Sequence, residues 1–157
     1  MRAKARWLLW LVTAAIAVAG ISDRIVSSCQ NSLASAHEVE RLAQLVGLHP
    51  GMNVAEIGAG DGRMAVGMAR RLDQTGALYA TELEAGQLNV IQKAAKAAGV
   101  NNVRAVLASE NSAELPEACC DVVYMRRVYH HFGTRDAMNR SLHASLRDGG
   151  RLVVIDF

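Results

Sequence analysis

Residues Val54-Ala55-Glu56-Ile57-Gly58-Ala59-Gly60-Asp61-Gly62 run from an apolar segment into three alternating glycines. Asn53 to Ile57 reads as a buried strand, and Arg63 to Leu72 reads as the helix that follows. Glycines between a strand and a helix permit a tight turn and a close backbone approach to a ligand. The free N–H groups of a helix start favour a negative partner. A dinucleotide fingerprint would read G-x-G-x-x-G. Here the third glycine comes one residue early, and Arg63 takes the expected position. Glu56 stands two residues before the first glycine, where a carboxylate would repel a pyrophosphate but hold a cation.

Outward from this turn, strands and helices alternate. Ala36 to Val46 carries apolar residues at helical spacing, and Leu48-His49-Pro50-Gly51 stops it. Further strands are expected at Ala77 to Thr81, Val103 to Leu107, Asp121 to Met125 and Arg151 to Phe157. Helices are expected at Glu84 to Ala98 and Arg135 to Leu146, the latter stopped by Asp148-Gly149-Gly150. Strands separated by helices form right-handed βαβ units and a parallel sheet, so the fold class is α/β, Rossmann-like and doubly wound. Such a sheet binds ligands beyond the carboxyl ends of its strands.

The turn Glu56-x-Gly58-x-Gly60-x-Gly62 after a strand resembles motif I of the class I S-adenosylmethionine-dependent methyltransferases. The resemblance extends from about Leu48 to Phe157 and implies strand order 3-2-1-4-5. It implies a cofactor, S-adenosylmethionine, whose aminoacyl end lies in the loop formed by Glu56, Gly58, Ala59, Gly60 and Gly62. Glu82 follows the second strand, 20 residues beyond Gly62. A carboxylate there accepts two hydrogen bonds from a ribose diol, and the resemblance then places Leu83 beside the adenine. After the third strand the family commonly has an acidic residue that reaches the adenine amino group. Glu110 and Asn111 both suit that role, and spacing does not choose between them.

Tyr129-His130-His131-Phe132, after the fourth strand, resembles a segment of a bacterial subset of these enzymes that faces the methyl group and the acceptor. Many relatives carry Asp or Asn where Arg127 stands, so no catalytic acid carries over. His130 and His131 are the candidate general bases. Positioning supplies much of the rate of methyl transfer, so a base is not always required. His37, His49 and His143 show no ligand spacing, no metal site is expected, and the absence of a C-x-x-C pair excludes a zinc ribbon.

Composition bounds these expectations. The chain has 157 residues, 51% of them apolar, which suits one domain and excludes a disordered chain. The formal charge is +2, but Arg2, Lys4 and Arg6 precede an uncharged run from Trp7 to Ile21. Without those three, 14 basic residues face 15 acidic ones, a net of −1, which does not argue for nucleic-acid binding. Residues 1–21 have the parts of a signal peptide, with Ala17-Val18-Ala19 as a cleavage site. As a helix the run spans roughly 22 Å, shorter than a ~30 Å bilayer core, though Trp7 and Trp10 suit an interfacial anchor. Export to the periplasm or membrane anchoring is expected, a cytoplasmic chain being the alternative. Residues 22–35 read as a linker and 36–157 as the methyltransferase-like domain. Cys29 does not sit in a convincing lipobox, and Cys119 and Cys120 read as small apolar residues entering a strand, because a bridge between neighbours is strained.

A complete class I methyltransferase adds a helix and two strands after the fifth strand. The last strand would then be an exposed apolar edge; the domain is expected to be C-terminally incomplete, with pairing to another chain or a minimal five-stranded form as the alternatives. The expected activity is methyl transfer to an unidentified small-molecule acceptor. The alternative is a non-catalytic exported binding or interaction module on the same fold. A nicotinamide-dependent reductase is disfavoured by Arg63 and by the lack of a Tyr-x-x-x-Lys pair.

Overall fold

The computed structural model describes residues 36–156. The leader, the linker, Cys29 and Phe157 lie outside the described residues. Packing divides the chain into two units, residues 1–38 and 39–157, and the fold below is that of the second. Five strands, β1 (Asn53–Ile57), β2 (Ala77–Glu82), β3 (Val103–Leu107), β4 (Cys120–Arg126) and β5 (Leu146–Ile155), form one sheet in the order β3-β2-β1-β4-β5. Every pairing is parallel. The helices are α1 (residues 36–46), α2 (Arg63–Ala69), α3 (Ala85–Ala97) and α4 (Arg135–Ser145). No described helix is long and apolar enough to cross a membrane.

Alternation along the central strands divides the core in two. Val54, Leu78, Ala80, Val122 and Tyr124 face one side, where they meet Leu42 and Val46 of α1, Met64 and Met68 of α2, and Ile91 of α3. Ala55, Ile57, Tyr79, Val123 and Met125 face the other, where Met138 and Leu142 of α4 cover them. Strands buried on both faces need near-continuous apolar sequence, which is how β1 and β4 read. Full burial of each large aliphatic side chain contributes about 1.5–3 kcal/mol.

Two small devices hold the helices to this sheet. Gly67 lets α2 lie against α1, since a Cβ there would fall 2.6 Å from Val39 Cγ2. The Asn102 amide, before β3, reaches three carbonyls, those of Ala69 (3.0 Å), Asp73 (2.7 Å) and Gly76 (3.3 Å). It thereby joins the end of α2 to the start of β2.

Several expectations need correction. α2 ends at Ala69 rather than Leu72; Arg71 and Leu72 donate instead to Met68 and Ala69, a tighter turn that leads to Asp73 at φ 57°. β2 runs one residue further, so Glu82 is the last residue of the strand itself. β5 starts at Leu146 rather than Arg151. Cys120 pairs with Leu146 and Val122 with Arg151, so Asp148-Gly149-Gly150 is taken up as an irregularity in the ladder rather than ending a helix before it. Gly149, at φ 77°, provides the necessary backbone freedom. Cys119 and Cys120 are not two separate thiols: a disulfide joins them at the start of β4, with Cys120 buried. β5 is one of the two edge strands of the described sheet, β3 being the other, and Leu152 and Val154 on one of its faces are 42% and 43% exposed.

Candidate functional site

The three glycines all adopt left-handed backbone, with φ of 69°, 58° and 78° at Gly58, Gly60 and Gly62. That region costs other residues roughly 1–2 kcal/mol each. Their surroundings differ. A Cβ on Gly58 would lie 2.7 Å from Val128 Cγ2, and one on Gly62 would lie 3.1 Å from the Ile91 Cα. A Cβ on Gly60 would meet nothing within 4 Å. Gly58 and Gly62 are thus required by packing, whereas Gly60 faces open space.

The loop is fastened to the end of β2. The Thr81 carbonyl accepts the N–H groups of Gly58 (3.1 Å) and Ala59 (3.0 Å). Glu82 Oε1 accepts the Gly60 N–H at 2.5 Å, and Oε2 accepts the Leu83 N–H at 3.3 Å. Helix α2 begins at Gly62 without a side-chain cap, and one of its first N–H groups, that of Arg63, is taken by Asp61 Oδ1.

Glu56 is buried, 2% exposed, on the strand beneath this loop. Its register partner on β4 is Tyr124, so the two side chains share a face of the sheet. Burial pushes the Glu56 carboxyl up to about 8, against the pull of the Arg126 guanidinium and of the Tyr124 hydroxyl. Arg126 Nη2 stands 3.9 Å from Glu56 Oε1. The Tyr124 hydroxyl is near enough to act on the charge, yet neither it nor Glu56 Oε2 has a partner in hydrogen-bond geometry. An unmade hydrogen bond at a buried carboxyl is costly.

A cavity of about 660 Å3 opens over the carboxyl ends of the strands, within the range of small-molecule sites. Of the residues expected from sequence, Gly58, Glu82, Leu83, Glu110 and His131 line it. Glu56 and Ala59 are buried behind it, and Gly60, Gly62, Asn111 and His130 stand outside its wall. Glu110 and Asn111 share a tight turn. Ser109 and Ser112 form an isolated bridge, leaving Glu110 on the cavity side.

The two adjacent histidines separate as well. Asp156, just after β5, accepts from the His130 backbone N–H (3.1 Å) and pairs with its Nδ1 (2.7 Å). That pins the single 3-10 turn Tyr129–His131 and leaves His131 to line the cavity. Phe132, from the Tyr129–Phe132 segment, lines it too, and so do Arg126, Thr81 and Met138, which sequence reasoning missed. Of the three missed, Thr81 and Arg126 carried a signal, since Thr81 is the penultimate residue of β2 and Arg126 the last of β4, at the ends where ligands bind. Among the described residues no group of three His, Cys, Asp or Glu is placed to hold a metal ion.

A methyltransferase domain family matches residues 54–150. The chain belongs to this family. The match takes in β1 to β4 and α2 to α4, including every expected site residue. The chain is 27% identical over 112 residues to the ubiquinone/menaquinone biosynthesis C-methyltransferase UbiE of Vibrio vulnificus, an alignment covering 71% of this chain and 43% of that protein. It therefore spans under half the length of such curated relatives. Among solved structures, a SAM-dependent methyltransferase from Aquifex aeolicus superposes with a TM-score of 0.71 at 23% identity, over 76% of this chain and 63% of that one. Coclaurine N-methyltransferase, bound to N-methylheliamine and SAH, superposes with a TM-score of 0.69 at 17% identity, over 76% and 35%. At such identities the superpositions establish the methyltransferase fold, with its 3-2-1-4-5 strand order.

Proposed function

We propose that this domain holds S-adenosylmethionine and supports methyl transfer from it to a small-molecule acceptor. The observation that carries the proposal is the glycine turn closed onto Glu82 beside the cavity, with a buried carboxyl beneath it of which one oxygen, Glu56 Oε2, has no hydrogen-bond partner. The residues fit the ligand. Glu56 Oε2 awaits a donor of the kind an amino-acid ammonium supplies, and the space at Gly60 admits a ligand against bare backbone. Glu82 would hold the ribose diol, Leu83 would flank the adenine, and Glu110 would accept from its amino group. When bound, S-adenosylmethionine supplies an electrophilic methyl group on a sulfonium.

The chain's own contribution is positional. The β4 end, from Arg126 to Val128, and the side chains of His131, Phe132 and Met138 form the opposite wall, where an acceptor would be oriented. Phe132 and Met138 exclude water there. His131, on the cavity wall, is the residue placed to take a proton from the acceptor, while His130 holds the turn through Asp156. Titration calorimetry with S-adenosylhomocysteine tests the proposal: binding is expected, and Gly60→Arg or Glu56→Ala should weaken it. No heat from folded protein would overturn it.

Arg127, standing where many relatives have Asp or Asn, favours a second reading, a non-catalytic exported module on the same fold. Fractionation with N-terminal sequencing tests export through residues 1–21, and light scattering tests pairing of two copies through β5. Binding of S-adenosylhomocysteine without turnover of any acceptor would favour this second reading.

A further inference from the structure

The charged residues of the cavity are sorted by side. Glu82 and Glu110 stand at the ends of β2 and β3, whereas Arg126, Arg127 and His131 stand at and after the end of β4. Arg126 is engaged with Glu56. Arg127 differs from it in backbone conformation. It holds a left-handed conformation, φ 56°, fixed by its N–H bond to the Ile155 carbonyl at 2.8 Å. A residue with a Cβ is rarely kept there, and such strain concentrates where a side chain must be aimed. The same segment of the lining contributes the apolar side chains of Val128, Phe132 and Met138, together with Gly133 and Thr134.

We propose that Arg127, with His131 in the same cavity lining, is the specificity-determining anion site of the acceptor pocket, and that the acceptor is a compact apolar molecule bearing an anionic oxygen, a carboxylate or a phenolate. This rests on the proposed methyl transfer for its role, but the site itself needs only the residues on the β4 side. A guanidinium grips a planar oxyanion in two directions, and the Phe132 and Met138 side chains bury the body attached to it. The negative group is thereby kept on the far side of the cavity from Glu82 and Glu110, which would repel it. Oriented in this way, the acceptor presents its neighbouring atom to the methyl group, the positional contribution this wall has to make.

The test uses the full chain with benzoate as probe and benzamide as its uncharged counterpart, followed by the ring-proton NMR signals of the histidines. Benzoate should shift the His131 signals equally with and without saturating S-adenosylhomocysteine, and benzamide should not. Arg127→Gln should weaken benzoate about tenfold, and Arg127→Lys should restore part of the loss. A melting curve shows that each variant is folded. Absence of a benzoate shift, equal binding of benzamide, or an unchanged affinity in Arg127→Gln would overturn the inference. Expulsion of benzoate by S-adenosylhomocysteine would overturn it too, because Arg127 would then belong to the cofactor's own carboxylate. A separate calorimetric titration with S-adenosylhomocysteine reads the methyltransferase proposal, which can fail while the benzoate result stands.

Discussion

The Glu82 carboxylate and the Gly60 N–H close the glycine turn onto the end of β2 with a 2.5 Å hydrogen bond. The same carboxylate would have to serve a ribose diol. Glu82→Gln keeps an acceptor for Gly60 but surrenders the charge and one of the two oxygens. Its affinity for S-adenosylhomocysteine should fall about tenfold by calorimetry, with little change in melting temperature. Glu82→Ala should lose both affinity and loop order. An affinity unchanged in both variants would remove Glu82 from the site.

Glu56 should make stability fall as pH rises. Its folded-state pKa, about 8, lies above the ordinary 4.5, so between those values the native state binds more protons than the unfolded state. Stability then decreases from pH 5 to pH 8 by an amount on the order of a few kcal/mol, and Glu56→Gln should flatten that slope. Urea unfolding across this range is the measurement. An ammonium-bearing ligand favours the ionised carboxyl, so binding of S-adenosylhomocysteine near neutral pH should release a proton and give a heat that depends on the buffer.

Gly58 and Gly60 should separate folding from binding. Gly58→Ala combines left-handed strain with the Val128 clash and should destabilise the domain by about 2–3 kcal/mol. Gly60→Ala carries the strain alone, about 1 kcal/mol, but sets a methyl group in the ligand's space. Denaturation and calorimetry on both variants check the contrast. Equal losses of stability would contradict the packing difference between them.

The His130–Asp156 pair should contribute little to stability. Its side chains are 50% and 23% exposed, so a double-mutant cycle with alanine should give a coupling below about 1 kcal/mol. Its larger effect should be on His131, whose ring-proton NMR signals should broaden or split in Asp156→Ala as the turn loosens. Sharp, unmoved signals would show that the turn holds its place without the pair.

The strands and the glycine turn were legible because a buried parallel strand writes itself as an apolar run and a left-handed turn as glycine. The positions of Glu56 near the end of β1 and Glu82 at the end of β2 were legible for a related reason, since each follows from where its apolar run stops. What sequence hid was tertiary. Asp148-Gly149-Gly150 looks like a helix stop whether or not a neighbouring strand takes it up, and only pairing with Cys120 and Val122 decides the matter. Glu110 and Asn111 are adjacent polar residues until the Ser109–Ser112 bridge turns one of them inward. His130 and His131 differ only through Asp156, 26 residues away from His130.

Asn102 has a bearing on how the protein ages. One amide group serves three carbonyls that tie α2 to β2. Spontaneous deamidation would turn that donor into a carboxylate facing three oxygen atoms, with no change in chain length and a mass gain of about one dalton. Old preparations would then soften around the Asp73 turn while the strand pairing persisted, a fault that a fresh batch would not show.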